Sequence, residues 1–140
     1  MKKKIIWYAF VLILVIIVAV PTSFLYILSN GNPYTKYIAN KKVPSYLKEK
    51  GYVEDDFKKA HYIEPKHGTN KNFYNGHYMV IFKDEPDVIY YYGITKEEKQ
   101  VKQFCERDKL SAYGTYEGWI EESKTKHSEV KCSYGFGTGD

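Results

Sequence analysis

A chain of 140 residues with a formal charge of +4, two cysteines and no internal repeat has room for one membrane or targeting segment and one small domain, and excludes two folded domains. The positive charge is local: Lys2, Lys3 and Lys4 precede every acidic residue, and once these three are removed from the 21 basic residues, 18 face 17 acidic ones. So even a balance is no footprint for DNA or RNA, and no nucleic-acid partner is expected.

Ile5 to Leu28 carries no charge. As a helix rising about 1.5 Å per residue it reaches about 36 Å, enough to cross a hydrocarbon core of roughly 30 Å. A cleaved secretory signal begins in the same way, but the small residues needed one and three positions before a cut are missing. Ala19 has Ile17 two residues before it and Ser23 has Pro21, and the apolar run resumes at Phe24. An uncleaved transmembrane anchor over residues 1–28 is therefore expected. Pro21 should kink it, with Thr22 or Ser23 serving freed carbonyls, and Trp7, Tyr8 and Tyr26 fit the interfacial aromatic belt. The three lysines place the amino terminus in the cytosol and residues 29–140 outside, giving a single-pass protein of the cell membrane with the membrane as its first partner.

Asn32 followed by Pro33 reads as a helix start and Gly51 as its stop. Tyr34, Tyr37 and Ile38 form one stripe and Val43, Tyr46 and Leu47 another, about half a turn away. Pro44 sits at the change of phase, where its ring clashes with the carbonyl of Asn40. The sequence thus predicts two short helices, or one sharply kinked helix, broken near Val43.

Beyond Gly51 the period becomes two. Phe57 to Ile63 alternates as a strand ended by Pro65, Lys66 to Gly76 is turn-rich, and His77 to Phe82 and Val88 to Tyr92 form a hairpin joined by Lys83 to Asp87. Both faces of that hairpin are apolar or aromatic, which predicts a sheet covered at least partly by the helices. Thr95 to Arg107 fits either a capped helix or a turn leading into a strand, and the strand is preferred; Ser111 to Lys131 has too little periodicity to assign.

Asn30-Gly31-Asn32-Pro33 after the span, Tyr46-Leu47, Gly51-Tyr52, and Phe82-Lys83-Asp84-Glu85-Pro86-Asp87 followed by Tyr90-Tyr91-Tyr92 resemble a family of short, single-anchor membrane proteins of unknown function from Gram-positive bacteria. The resemblance covers roughly residues 1–104. It implies the anchor and the helix-then-sheet order, and carries no activity or catalytic residues with it. The order of elements is also similar to helix-on-curved-sheet modules of cystatin or PepSY type, a likeness at the level of fold alone.

The cysteines, Cys105 and Cys132, lie on the outer side, where a disulfide between them is the expected pairing; two unpaired thiols are the alternative, since Gram-positive envelopes use few disulfides. His61, His67, His77 and His127 lack metal-ligand spacing, so no metal and no cofactor is expected. The acidic group Asp84, Glu85 and Asp87 around Pro86 reads as a solvated turn rather than a cation site.

The expected class is α+β: a transmembrane helix over 1–28, a small helix-then-antiparallel-sheet ectodomain over 29–134 and a flexible tail over 135–140. The expected function is non-enzymatic binding of an envelope protein or peptide partner through the tyrosine-rich sheet, with no catalytic residue. The alternative is a small envelope hydrolase in which His61, His77 and a carboxylate converge on one pocket.

Overall fold

The computed structural model describes residues 1–64, 68–120 and 125–137. Two compact units divide the chain, Met1–Pro33 and Tyr34–Asp140. The first is essentially α1 (Lys2–Asn30), whose side chains are exposed through Ile27. By length and composition α1 can cross a membrane, a test that a signal sequence near an amino terminus also passes. Pro21 lies inside the helix, and the Thr22 hydroxyl donates to the carbonyls of Val18 (2.8 Å) and Ala19 (3.0 Å), so a side chain engages backbone next to the carbonyl of Ile17 that proline cannot serve.

The second unit contains α2 (Pro33–Glu49, from Tyr34 onward), a short 3-10 turn at Glu54–Asp56 and five strands: β1 (Phe57–Ile63), β2 (His77–Phe82), β3 (Glu85–Ile94), β4 (Val101–Leu110) and β5 (Tyr116–Ile120). The strands run antiparallel in the order β1-β2-β3-β4-β5, and the sheet packs against α2, giving an α+β fold. Pro65 and His67 lie outside the described residues.

The expected break at Val43–Pro44 is absent: α2 is one helix. Its buried stripe is Thr35, Ala39, Val43 and Leu47, with Ile38 beside it, a regular spacing of four that stays in phase past the proline. The error came from counting Tyr34 and Tyr37 as core. They are 46% and 63% exposed, whereas the small Thr35 and Ala39 face inward and let the helix approach the sheet. Asn40 and Pro44 are both on the exposed side, so the carbonyl that loses its partner faces water and the helix continues. Gly51 stops it as expected. At φ 94° it allows the Gly51 N–H to bond to the Lys48 carbonyl (3.0 Å) and the Tyr52 N–H to bond to the Leu47 carbonyl (3.1 Å), the Schellman pairing that returns the chain onto the core.

The β2–β3 hairpin is tighter than expected. Only Lys83 and Asp84 form the turn, and Glu85, Pro86 and Asp87 already belong to β3. Phe82 opposes Glu85, but the next paired residues are Val80 and Tyr90, so Pro86 falls in the irregular stretch where it owes β2 no ladder bond. The preferred strand after Thr95 is β4.

The central strands are buried on both faces. Tyr78, Val80, Phe82, Val88, Tyr90, Tyr92 and Ile94 meet Ile38, Ala39, Val43 and Leu47 of α2. On the other face Phe73, Met79, Ile81, Ile89, Tyr91 and Phe104 cluster, with Ile63 at the end of β1 and Phe136 of the carboxy-terminal segment packed against them and no helix residue among them. Cys132 is joined to Cys105 by a disulfide, and the adjoining Ser133 pairs with β4: Cys105 N–H donates to Ser133 O (3.0 Å) and Ser133 N–H to Gln103 O (2.9 Å). The tail expected from Gly135 is docked at least through Gly137. The Glu106 carboxylate accepts from the N–H groups of Gly135 and Phe136, each at 3.0 Å, Gly137 N–H donates to Gly68 O, and the Phe136 ring lies against His77, Tyr91 and Phe104. Residues 138–140 lie outside the described residues. Phe104 fits because glycines flank it: a Cβ at Gly93 would come to 2.3 Å of its ring and one at Gly135 to 2.2 Å.

Reducing the disulfide should remove about 3.5 kcal/mol, the loop entropy of its 27-residue separation. That lowers the melting temperature by on the order of 10 °C, with protease cutting first after Tyr116; an unchanged melt, or cutting first in β1, would contradict the pinning role. Gly135→Ala tests the docked tail independently. Thermal melts should show a loss of about 1–3 kcal/mol from overpacking against Phe104, and a neutral result would place Gly135 away from that ring.

Candidate functional site

Chemistry-bearing side chains gather where Thr125–Glu129 crosses the α2-covered face of the sheet. β4 places two polar residues under this segment. Gln103 is fully buried and satisfied: its Nε2 donates to Tyr92 Oη (2.9 Å) and to the His127 carbonyl (2.8 Å), and its Oε1 accepts from Glu129 N–H (2.8 Å). Arg107, 3% exposed, donates to the hydroxyls of Thr125 and Ser128 and lies 5.2 Å from the Tyr90 ring centre. Tyr90 in turn donates to the Glu85 carboxylate and accepts from His127 N–H (3.3 Å).

His127 is the centre of the arrangement. Its ring stacks on Phe82 at 3.6 Å between centroids, Nε2 is 2.8 Å from Asp84 Oδ1, and Nδ1 is 3.0 Å from Tyr52 Oη. A carboxylate only accepts, so Nε2 carries a proton, and in the neutral ring Nδ1 accepts from the tyrosine O–H. The bond from His127, followed by the charges of His127 and Lys126, holds the Asp84 carboxyl below the usual range. Burial, and then the nearby Glu129, Asp84 and Asp56, push the Tyr52 phenol up, so it remains a donor and is not activated as a nucleophile. A cleft of about 220 Å³ opens beside these three residues, bordered also by Asp55 and Asp56.

A larger open groove of about 610 Å³ lies between α2, the β3–β4 turn and the end of the crossing segment. It is lined by Lys41, Lys42, Lys50, Lys99, Lys102 and Lys131. Lys42 Nζ donates to the Lys99 carbonyl (2.7 Å), tying the turn to the helix, and Lys99 is the one non-glycine residue with positive φ (53°) among the described residues. Glu129 accepts from Tyr46 Oη (2.5 Å) and lies 3.8 Å from Lys50 Nζ.

The histidines singled out from sequence are placed differently. His77 opposes Ile63 across β1–β2 while His61 opposes Met79, and neither lines the cleft or the groove. His77 is 1% exposed among the rings of Tyr91, Phe104 and Phe136, and neither ring nitrogen has a hydrogen-bond partner among the described residues. His67 lies outside the described residues. Among the described residues no group of three or more His, Cys, Asp or Glu side chains is arranged to hold a metal ion. The sheet tyrosines are no exposed platform either: Tyr78, Tyr90, Tyr91 and Tyr92 are all buried. His127 with Asp84 had no signal in the sequence, because the two are 43 residues apart and share no local spacing.

Burial lowers His77 from 6.5 to about 4, which predicts an acid-labile domain. The unfolded chain takes up this proton below pH 6.5 while the folded chain resists to about 4, so stability is complete above 6.5 and falls as pH drops through that window. Up to about 3 kcal/mol is lost there. Chemical denaturation at several pH values should show this slope in the native chain and a flatter one in His77→Phe; equal slopes would assign the acid lability elsewhere.

No curated protein and no solved structure matches the chain, so nothing supports the expected likeness to cystatin and PepSY modules. A family model described as "Protein of unknown function (DUF3139)" matches residues 2–92, from the start of α1 into β3, a shorter stretch than the resemblance read from sequence. Strands β4 and β5, the disulfide and the crossing segment with His127 lie beyond that match. With well over half its length matched, the chain belongs to the DUF3139 family of proteins of unknown function.

Proposed function

We propose that this is a single-pass protein of a Gram-positive cell membrane, amino terminus in the cytosol, whose outer domain binds an envelope partner without catalysing a reaction. The long apolar run of α1 behind Lys2, Lys3 and Lys4 supports the placement, and the Cys105–Cys132 disulfide suits the oxidising side of the membrane. The observation that carries the binding reading is the groove of about 610 Å³, which is open and lined by six lysines, of which Lys50 alone among the described residues has a carboxylate within ion-pair distance.

The hydrolase reading has less support. Its catalytic-type residues are spent inside the fold, with both nitrogens of His127 engaged, its ring flat on Phe82, and His77 enclosed by aromatic rings. None of these leaves a base facing a substrate.

The test has two readouts in intact cells. The full chain should stay with membranes through a high-salt wash, since apolar burial resists salt, and a soluble form beginning after Ala19 or Ser23 would overturn the anchor. A photo-crosslinking residue at Lys41 or Lys131 should give a discrete adduct that the same residue at Lys58 on β1 does not. Adducts of equal yield at all three positions, or at none, would overturn the groove as the binding face.

A further inference from the structure

We infer that the groove is an anion site whose ligand is a flexible, soluble polyanion bearing phosphate groups; this rests on the binding reading above and names its chemistry. The first argument is segregation of charge. Apart from Lys2, Lys3 and Lys4 the chain holds 18 basic and 17 acidic residues. Six of the former and three of the latter line the groove, leaving 12 basic against 14 acidic elsewhere. A chain that is neutral in sum thus carries an excess of three positive charges in one concave surface and a deficit outside it, the arrangement that focuses a field on an anion.

The second argument is how little of this charge is neutralised. Among the described residues, Lys50 is the only one of the six lysines with a carboxylate within ion-pair distance, and that carboxylate, Glu129, is shared with Tyr46. Lys42 is held by a backbone carbonyl, not by an acid. Bringing these ammonium groups together costs mutual repulsion, which a bound polyanion would relieve.

The third argument separates phosphate from an acidic peptide. Every basic lining residue is lysine, which meets an anion as a point charge and so accepts a tetrahedral phosphate in any rotation; the planar fork that grips one carboxylate or phosphate in a fixed orientation is arginine's, and Arg107 is buried beneath Thr125 and Ser128. A peptide would also want a free strand edge or apolar pockets. Val101 and Lys102 of β4 beside the groove are paired with β3, the other edge of β4 is taken up by Ser133 from Gln103 onward so that only a residue or two of edge remains, and the apolar lining is limited to Val101 and the Tyr46 ring.

The experiment uses the full chain in neutral detergent micelles with fluorescent inorganic polyphosphate as the probe and polyglutamate of equal charge as the comparison. Polyphosphate should bind more tightly, and with about four phosphate contacts its affinity should fall roughly fiftyfold between 50 and 200 mM salt. The triple variant Lys41→Gln, Lys102→Gln, Lys131→Gln should weaken it by at least about tenfold with an unchanged melting temperature, while Lys58→Gln with Lys59→Gln should change it by less than about twofold. Tighter binding of polyglutamate would overturn the phosphate assignment, and stronger competition by phosphatidylglycerol in the micelle would overturn a soluble ligand; both leave groove binding standing. Equal loss in the two variants, or no binding of either polymer, would overturn the anion site, while groove-specific adducts in cells would still support the binding face.

Discussion

Two apolar faces and one amphipathic helix set the terms of this domain. The hairpin of β2 and β3 presents Tyr78, Val80, Phe82, Tyr90 and Tyr92 on one side and Met79, Ile81, Ile89 and Tyr91 on the other, so the sheet is unstable in water unless both are covered. Helix α2 covers the first. Among the described residues no further α-helix follows, and the other face is closed by Phe73 and by Phe136 of the carboxy-terminal segment. Such a cover has little apolar area of its own and loses much chain entropy on docking. The disulfide reduces that loss in advance, the buried Glu106 carboxylate takes two otherwise orphaned N–H groups, and Gly93 and Gly135 let Phe104 and Phe136 meet closely.

The crossing segment Thr125–Glu129 follows a different logic. It lies over buried polar side chains, Gln103 and Arg107, each of which would be costly if unpaired. Their partners are the segment's own backbone and hydroxyls, so the segment is positioned by donor and acceptor matching instead of by apolar area. His127 completes this, packing one face on Phe82 and extending one nitrogen to Asp84 and the other to Tyr52. The residues that look most catalytic in composition therefore hold the fold, while the residues that look like ordinary solvated charges, the lysines, line an open groove of about 610 Å³.

Much of the architecture was legible in the sequence because it rests on short-range rules. The uncharged run of α1, Pro33 and Gly51 at the ends of α2 and the two-residue alternation of β1 to β3 are each written within a short stretch of chain, and the pairing of Cys105 with Cys132 followed from there being only two cysteines. The misreadings arose where a residue type has two physical uses. Tyrosine is both core filler and tolerable surface, so Tyr34 and Tyr37 were counted inward while Thr35 and Ala39 took the packing face, and a break was expected at Pro44. Glycine marks both flexible tails and close approaches, so Gly135 was assigned to a tail when its missing Cβ makes room for Phe104.

The sequence by itself determined the long apolar helix α1, the two ends of α2 and strands β1 to β3, and that the charge beyond the first four residues is nearly balanced, since propensity, periodicity and composition are local or additive; it left β5 unassigned. Only the tertiary structure decided which side chains meet: that His127 finds Asp84 and Tyr52, that His77 is enclosed by rings, and that six lysines from three separate stretches of chain face one groove. These are long-range juxtapositions set by strand register and by where the disulfide returns the chain, and a sum over residues carries no information about them.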